Sequence, residues 1–321
     1  KVGVYILPFF DDFYIISMLQ YKYNQKYIKG NYFMEKKKRR VRKPDWFKVT
    51  YDSEVGVVGQ MMEDDSLHTV CKEANCPNRG ECYKKRTVTF MIMGNQCSRN
   101  CKFCNVKSGE PMHLDPLEPL HVAQSVQKLN LKHVVITSVT RDDLEDGGAN
   151  HFAKTIEEVK KLNPGVTVEV LIPDLKGEDK NLDIIINAKP DVINHNMETI
   201  ERLYEKVRPE AIYERSLYVL KYVKENAPEI LTKTGIMVGL GESDEEIYKL
   251  MDDVLNVGCD IFTIGQYLQP SRKHVDVEEY VSLEKFEKYK EVGMKKGFRF
   301  IASSPLVRSS YKAAEALEAR N

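Results

Sequence analysis

From residue 86 onward, short apolar runs rich in β-branched residues alternate with stretches of helical periodicity. Residues 87–93, 133–139, 167–172, 192–195, 234–240, 261–268 and 298–302 read as strands. Between them, 119–129, 149–162, 197–206, 211–225, 244–257 and 282–296 read as helices. The strands are apolar almost without alternation, the pattern of strands covered on both faces, and intervening helices make such a sheet parallel. A β-α series of this kind forms a barrel or an open doubly wound sheet. Both gather ligand residues at the C-terminal ends of the strands.

Several predicted strands do end in polar residues. The run 133–139 leads into Thr140-Arg-Asp-Asp143, 234–240 into Gly241-Glu-Ser243, and 192–195 into Asn196. Ser243 and Asp244 are better explained as the N-cap of the next helix, where Glu245 and Glu246 also suit the helix dipole.

Composition narrows the classes of function. Lys plus Arg and Asp plus Glu are 48 each, so no global charge favours a nucleic-acid partner. The local exception, Lys36-Lys-Lys-Arg-Arg-Val-Arg-Lys43, reads as a solvated basic arm. Two apolar stretches before residue 20 are broken by Asp11 and Asp12 and are too short to span a membrane. Residues before Met34 are expected to lie outside the functional fold, and reduced cysteines without an export signal point to the cytoplasm.

The chemistry lies in the cysteines. Six of seven fall in two triplets, Cys71-x4-Cys76-x5-Cys82 and Cys97-x3-Cys101-x2-Cys104. Thiolates are soft ligands for iron–sulfur clusters and zinc, and a set of three leaves one metal position open for chemistry. Disulfides belong to short secreted domains. Structural zinc wants paired C-x2-C spacings, of which only Cys101 and Cys104 supply one. Cys259 stands alone and reads as a small core residue.

The second triplet, placed directly after a strand at the head of a β-α series and with Phe103 before its last cysteine, resembles the radical S-adenosylmethionine superfamily. The first triplet, Phe90-Met-Ile-Met-Gly94, Asn194-His-Asn-Met-Glu198, Val207-Arg-Pro209, Ile264-Gly-Gln-Tyr-Leu-Gln-Pro270 and Arg308-Ser-Ser-Tyr311 narrow the resemblance to the lipoyl synthase family, over roughly residues 44–315. A biotin synthase-like enzyme would share only the second triplet, and an electron carrier would need fully ligated clusters.

The resemblance implies an α/β fold, a partial (β/α)6 TIM-like barrel of the radical SAM type whose N- and C-terminal extensions complete an auxiliary cluster site. The divisions it implies are 1–43 as a poorly ordered or non-family extension, 44–85 with the auxiliary cysteines, 86–304 as the barrel, and 305–321 as the C-terminal segment. Cys97, Cys101 and Cys104 would hold a catalytic [4Fe–4S] cluster whose open iron binds S-adenosylmethionine. Cys71, Cys76, Cys82 and Ser309, with Ser310 adjacent, would hold a second [4Fe–4S] cluster that donates two sulfur atoms to C6 and C8 of an octanoyl chain. By the same resemblance, a hard serine oxygen on a soft cluster marks the iron that leaves most readily. Without it, Ser309 reads as a helix N-cap.

Thr137, Ser138, Arg141, Asp142 and Glu242 are candidates for holding S-adenosylmethionine, and Asn194, His195 and Arg208 for the substrate side. Implied partners are octanoylated lipoyl-domain proteins (2-oxoacid dehydrogenase E2 subunits and glycine cleavage H protein), an electron donor such as ferredoxin or flavodoxin, and an iron–sulfur carrier protein. Neither nucleic acid nor membrane is implied.

Overall fold

The computed structural model describes residues 42–47, 54–85, 87–310 and 313–318. Nearly all of the extension expected at 1–43, and Tyr311 of the C-terminal motif, lie outside the described residues. Everything below belongs to the compact unit Val41–Asn321.

The elements, in chain order, are α1 (Glu54–Asp64), β1 (His68–Thr69), α2 (Val70–Glu73), α3 (Arg79–Lys84), β2 (Thr89–Ile92), β3 (Gln96–Cys97), β4 (Lys107–Ser108), α4 (Glu118–Lys128), β5 (His133–Ser138), α5 (Ala149–Leu162), β6 (Thr167–Leu171), α6 (Asp179–Asn187), β7 (Val192–Asn194), α7 (Tyr204–Val207), α8 (Tyr213–Asn226), β8 (Leu231–Val238), α9 (Asp244–Asn256), β9 (Ile261–Gln266), α10 (Leu283–Lys296), β10 (Phe300–Ser303) and α11 (Ala313–Glu318). The main sheet runs β1-β2-β5-β6-β7-β8-β9-β10, and β3 pairs with β4 apart from it. Every pair from β2 to β10 is parallel, whereas β1 is antiparallel to β2.

Because strands adjacent in sequence are adjacent in the sheet, the order never reverses. That excludes the doubly wound alternative, whose ligand crevice depends on a reversal. Strands β2 and β5–β9 form the expected six-stranded arc, and β10 adds a seventh parallel strand. The first and last strands are not paired with each other, so the barrel is open.

The helices bury the stripes their spacing predicts. On α5, Ala149, Phe152, Ala153, Ile156 and Val159 are buried at intervals of three and four. Each large side chain buried this way contributes about 1.5–3 kcal/mol. The helix enters through Gly148 at φ +92°, where a Cβ would lie 2.4 Å from Met93 Sδ, so only glycine can stand there. Ser243 and Glu246 form the capping box that starts α9.

One helix expectation is corrected, and one barrel helix was not expected. The region 197–206 is not one helix. Glu198 sits at φ +64° and bridges to Ile236 of β8, which draws the chain along the sheet until a 3-10 turn at Glu201–Leu203 and α7. The helix α6 follows a short turn after β6 and was not evident from the sequence pattern, since Leu182, Ile184, Ile185 and Ile186 read equally well as part of a buried strand.

Candidate active site

A cavity of about 920 Å³ opens at the C-terminal ends of the strands and is lined by all six triplet cysteines and by Ser309. Residues from α2 and α3, the loop after β3, the barrel strands and the C-terminal segment therefore converge on one space, although Cys71 and Ser309 are far apart in the chain.

The second triplet is held by interactions with the barrel. Cys97 Sγ accepts hydrogen bonds from the backbone N–H groups of Arg99 (3.4 Å) and Thr140 (3.3 Å). Arg99 donates to both oxygens of Asp142 (2.6 and 2.9 Å) and of Asp174 (2.9 and 2.7 Å), and Asp174 is fully buried. These ion pairs hold the Asp174 carboxyl well below the usual carboxylate range against the opposing effect of its burial. The loop is also tied by Lys102 N–H to the Val207 carbonyl (2.9 Å) and by the His274 ring to the Cys104 carbonyl (Nε2···O 2.9 Å).

The first triplet rests on short helices outside the barrel. Thr69 caps α2 by accepting from Lys72 N–H, and its hydroxyl meets Tyr83 Oη at 2.9 Å. Asn78 Nδ2 donates to the Leu306 carbonyl (2.7 Å), which fastens the cysteine run to the C-terminal segment. That segment crosses β9 at Gly265, where a Cβ would lie 2.1 Å from the Val307 carbonyl oxygen. Beyond the crossing, Asn196 Nδ2 donates to Ser309 Oγ (2.7 Å).

The donor set, two groups of three soft thiols facing one cavity, fits iron–sulfur clusters. Within each triplet the thiols feel one another. Burial first, and then Cys76, pushes Cys71 up to about 11, while burial, Cys71 and Cys76 push Cys82 to about 12. Burial raises Cys101 to about 11 and Cys104 to about 12, with smaller contributions from neighbouring thiols. Such thiols become thiolates only when a metal displaces the proton. In the cavity wall, Ser138 Oγ, Asn196 Oδ1 and Arg208 Nε are buried without a hydrogen-bond partner among the described residues, as atoms awaiting a polar ligand are.

Of the residues expected to hold S-adenosylmethionine, Thr137 and Ser138 line the cavity, Thr137 donating its hydroxyl to the Leu171 carbonyl (2.9 Å) and Ser138 Oγ lacking a partner among the described residues. The other three are engaged elsewhere. Arg141 pairs with Asp143, Asp142 with Arg99 and Ser98, and Glu242 accepts from the Gly239 and Leu240 N–H groups in the turn after β8. Asn194 points to Glu169, which sits with Lys233 in a buried ion pair inside the sheet (2.8 Å). His195 edges the cavity but is saturated by the Ile172 carbonyl and Ser216, and burial pulls it down to about 4. Arg208 donates to the carbonyls of Asn196 and Met197. Cys259 is buried in the core as expected.

Asn196, Glu198 and Arg308 line the cavity and had no role in the sequence-based assignment. Burial raises the Glu198 carboxyl and lowers Arg308, whose charge faces Cys76 and Glu198. Strand alternation was the available signal. If Asn194 faces the interior of the sheet and His195 the helices, Asn196 turns inward again, one level nearer the mouth.

A cysteine-capped cavity at the mouth of an open parallel barrel defines a radical S-adenosylmethionine protein, and the model of the Radical SAM superfamily matches residues 91–254. Lipoyl synthase of Caldanaerobacter subterraneus subsp. tengcongensis is 59% identical over 274 residues, spanning 85% of this chain and 96% of that protein. Lipoyl synthase of Alkaliphilus metalliredigens is 55% identical, spanning 86% and 96%. The chain belongs to the lipoyl synthase family. Among solved structures, methylornithine synthase shares the fold, with TM-score 0.52 and 14% identity over 68% of this chain and 72% of that one. No described helix is long and apolar enough to cross a membrane.

Proposed function

We infer that this chain inserts two sulfur atoms, at C6 and C8, into an octanoyl group carried on a lysine of a lipoyl-domain protein. The observation that carries this is the convergence of two cysteine triplets and a serine on one cavity. Cys97, Cys101 and Cys104 would hold the [4Fe–4S] cluster that binds S-adenosylmethionine, and Cys71, Cys76, Cys82 and Ser309 the auxiliary one. When bound, these groups supply the one-electron chemistry and the sulfur that no side chain can provide for unactivated C–H bonds.

The chain's own residues position and shield. Arg99 locks the loop between Cys97 and Cys101 to β5 and β6 through Asp142 and Asp174. Thr137 and Ser138 present hydroxyls for the amino acid or ribose of S-adenosylmethionine, and Arg208 fixes the Asn196–Met197 backbone. Met91, Val139, Leu171, Ile172 and Met237 give the cavity an apolar wall that suits an octanoyl chain and excludes water. Arg141, Asp142 and Glu242 support the site from behind rather than touching a ligand.

We assign residues 44–85 and 305–321 as the extensions completing the auxiliary site, 86–304 as the barrel and 1–43 as an extension outside the catalytic fold. The lipoyl-domain substrates are E2 subunits and the glycine cleavage H protein, reduction comes from ferredoxin or flavodoxin, an iron–sulfur carrier renews the auxiliary cluster, and the setting is cytoplasmic.

Anaerobic protein should contain about eight iron and eight sulfide per chain, as two four-iron clusters require. Cys71→Ala should still cleave S-adenosylmethionine but form no thiolated octanoyl-lysine peptide, whereas Cys97→Ala should do neither. Product at normal yield from Cys71→Ala would overturn the assignment of the sulfur source.

A further inference from the structure

We propose that Asn196 is a positioning residue that latches Ser309 to the barrel and so sets how readily the auxiliary site gives up iron. The proposal rests on the assignment of Ser309 as a ligand of that site. Asn196 is 8% exposed, and its surroundings leave it little freedom. Its carbonyl accepts from Arg208 (2.9 Å), and the next two residues are sewn to β8 through Thr234 Oγ1 (3.1 Å) and the Gly235 carbonyl (2.9 Å). Both amide hydrogens are committed, one to Ser309 Oγ at 2.7 Å and one to Glu198 Oε1 at 3.0 Å. With two acceptors on the nitrogen, the orientation of the amide is fixed.

Ser309 has no such scaffold of its own. It lies past the end of β10, in a segment fastened upstream by Gln266 N–H to the Pro305 carbonyl (3.1 Å) and by Asn78 to the Leu306 carbonyl (2.7 Å). A hydroxyl on a segment outside any helix or strand is a poor ligand unless its rotation is held. The Asn196 amide does that, directing the remaining lone pairs of Oγ into the cavity. The same amide is shared with Glu198, which lines the same cavity.

The test measures iron release to a ferrous chelator from the anaerobically reconstituted full chain, before substrate is added, with Mössbauer spectra of the same samples. Asn196→Ala, and Asn196→Leu, which fills the same space without a donor, should release iron about tenfold faster, the upper scale of a lost neutral hydrogen bond. The spectra should show one altered iron site. In a Ser309→Ala background neither change should accelerate release further, because the bond it removes is already gone. Parent-like release from both Asn196 variants, with faster release from Ser309→Ala, would overturn the latch and leave the serine ligand standing. Equal acceleration by the Asn196 changes in the presence and absence of Ser309 would also overturn it. Parent-like release from Ser309→Ala would remove the ligand assignment and the latch together.

Discussion

The two cysteine-bearing regions share a cavity but are built on opposite principles. The Cys97–Cys104 loop is held through buried charge, with Arg99 clamped by two carboxylates and Cys97 Sγ receiving two backbone donors. The Cys71–Cys82 run sits on helices of four and six residues and is tied to the C-terminal segment by a neutral hydrogen bond from Asn78, while another from Asn196 ties Ser309 to the barrel. Truncating a partner in a buried ion pair costs several times more than losing a neutral hydrogen bond. On the proposed assignment, the site reused in every turnover is anchored by the first kind of interaction and the site that is dismantled by the second.

The largest effect should come from the anchored side. Arg99→Ala leaves Asp174 buried and stripped of its bidentate partner, and denaturant unfolding should show a loss of about 3–5 kcal/mol. His195 should give the next largest effect. Its folded-state pKa of about 4 lies below the unfolded value of about 6.5, so the unfolded chain binds the proton first. Its contribution is complete above pH ~6.5 and falls away, by up to about 3 kcal/mol, as the pH drops toward 4. His195→Gln should flatten that acid slope in thermal unfolding measured across the window, and an unchanged slope would assign it to other groups.

Gly265→Ala probes the tethered side. Its new methyl meets the Val307 carbonyl, and overpacking of this kind costs about 1–3 kcal/mol. The auxiliary iron should be lost while the barrel's near-ultraviolet dichroism persists. Asn78→Ala should cost least, about 1 kcal/mol, with looser residues 304–309 by hydrogen exchange. A cost equal to that of Arg99→Ala would erase the distinction between the two regions.

The parallel strands, the bounds of α5 and the capping box at Ser243 were legible in the sequence because each depends on local periodicity or on two residues three apart. The two cysteine triplets stood out in the sequence because their spacing carries its own chemistry, and the structure brings both to one cavity. What escaped depends on tertiary context. Asp142 and Glu242 look like ligand residues at strand ends, yet a buried arginine claims the first and two backbone N–H groups claim the second. Within the Asn194–Glu198 motif, Asn194 and His195 were the residues given a substrate role, whereas strand alternation and the positive φ of Glu198 direct Asn196 and Glu198 to the cavity. No local signal announces that φ, since the bridge to Ile236 that imposes it comes from a strand formed later in the chain.

The gap in the sheet gives the auxiliary site a mechanical meaning. On one side of the opening β1 runs into Cys71, and on the other the chain leaves β10 toward Ser309. Anything that joins those residues acts as a rivet between the two free margins of the arc. On the proposed assignment the auxiliary cluster is that joint, and its loss would turn a fastened rim into a hinged one.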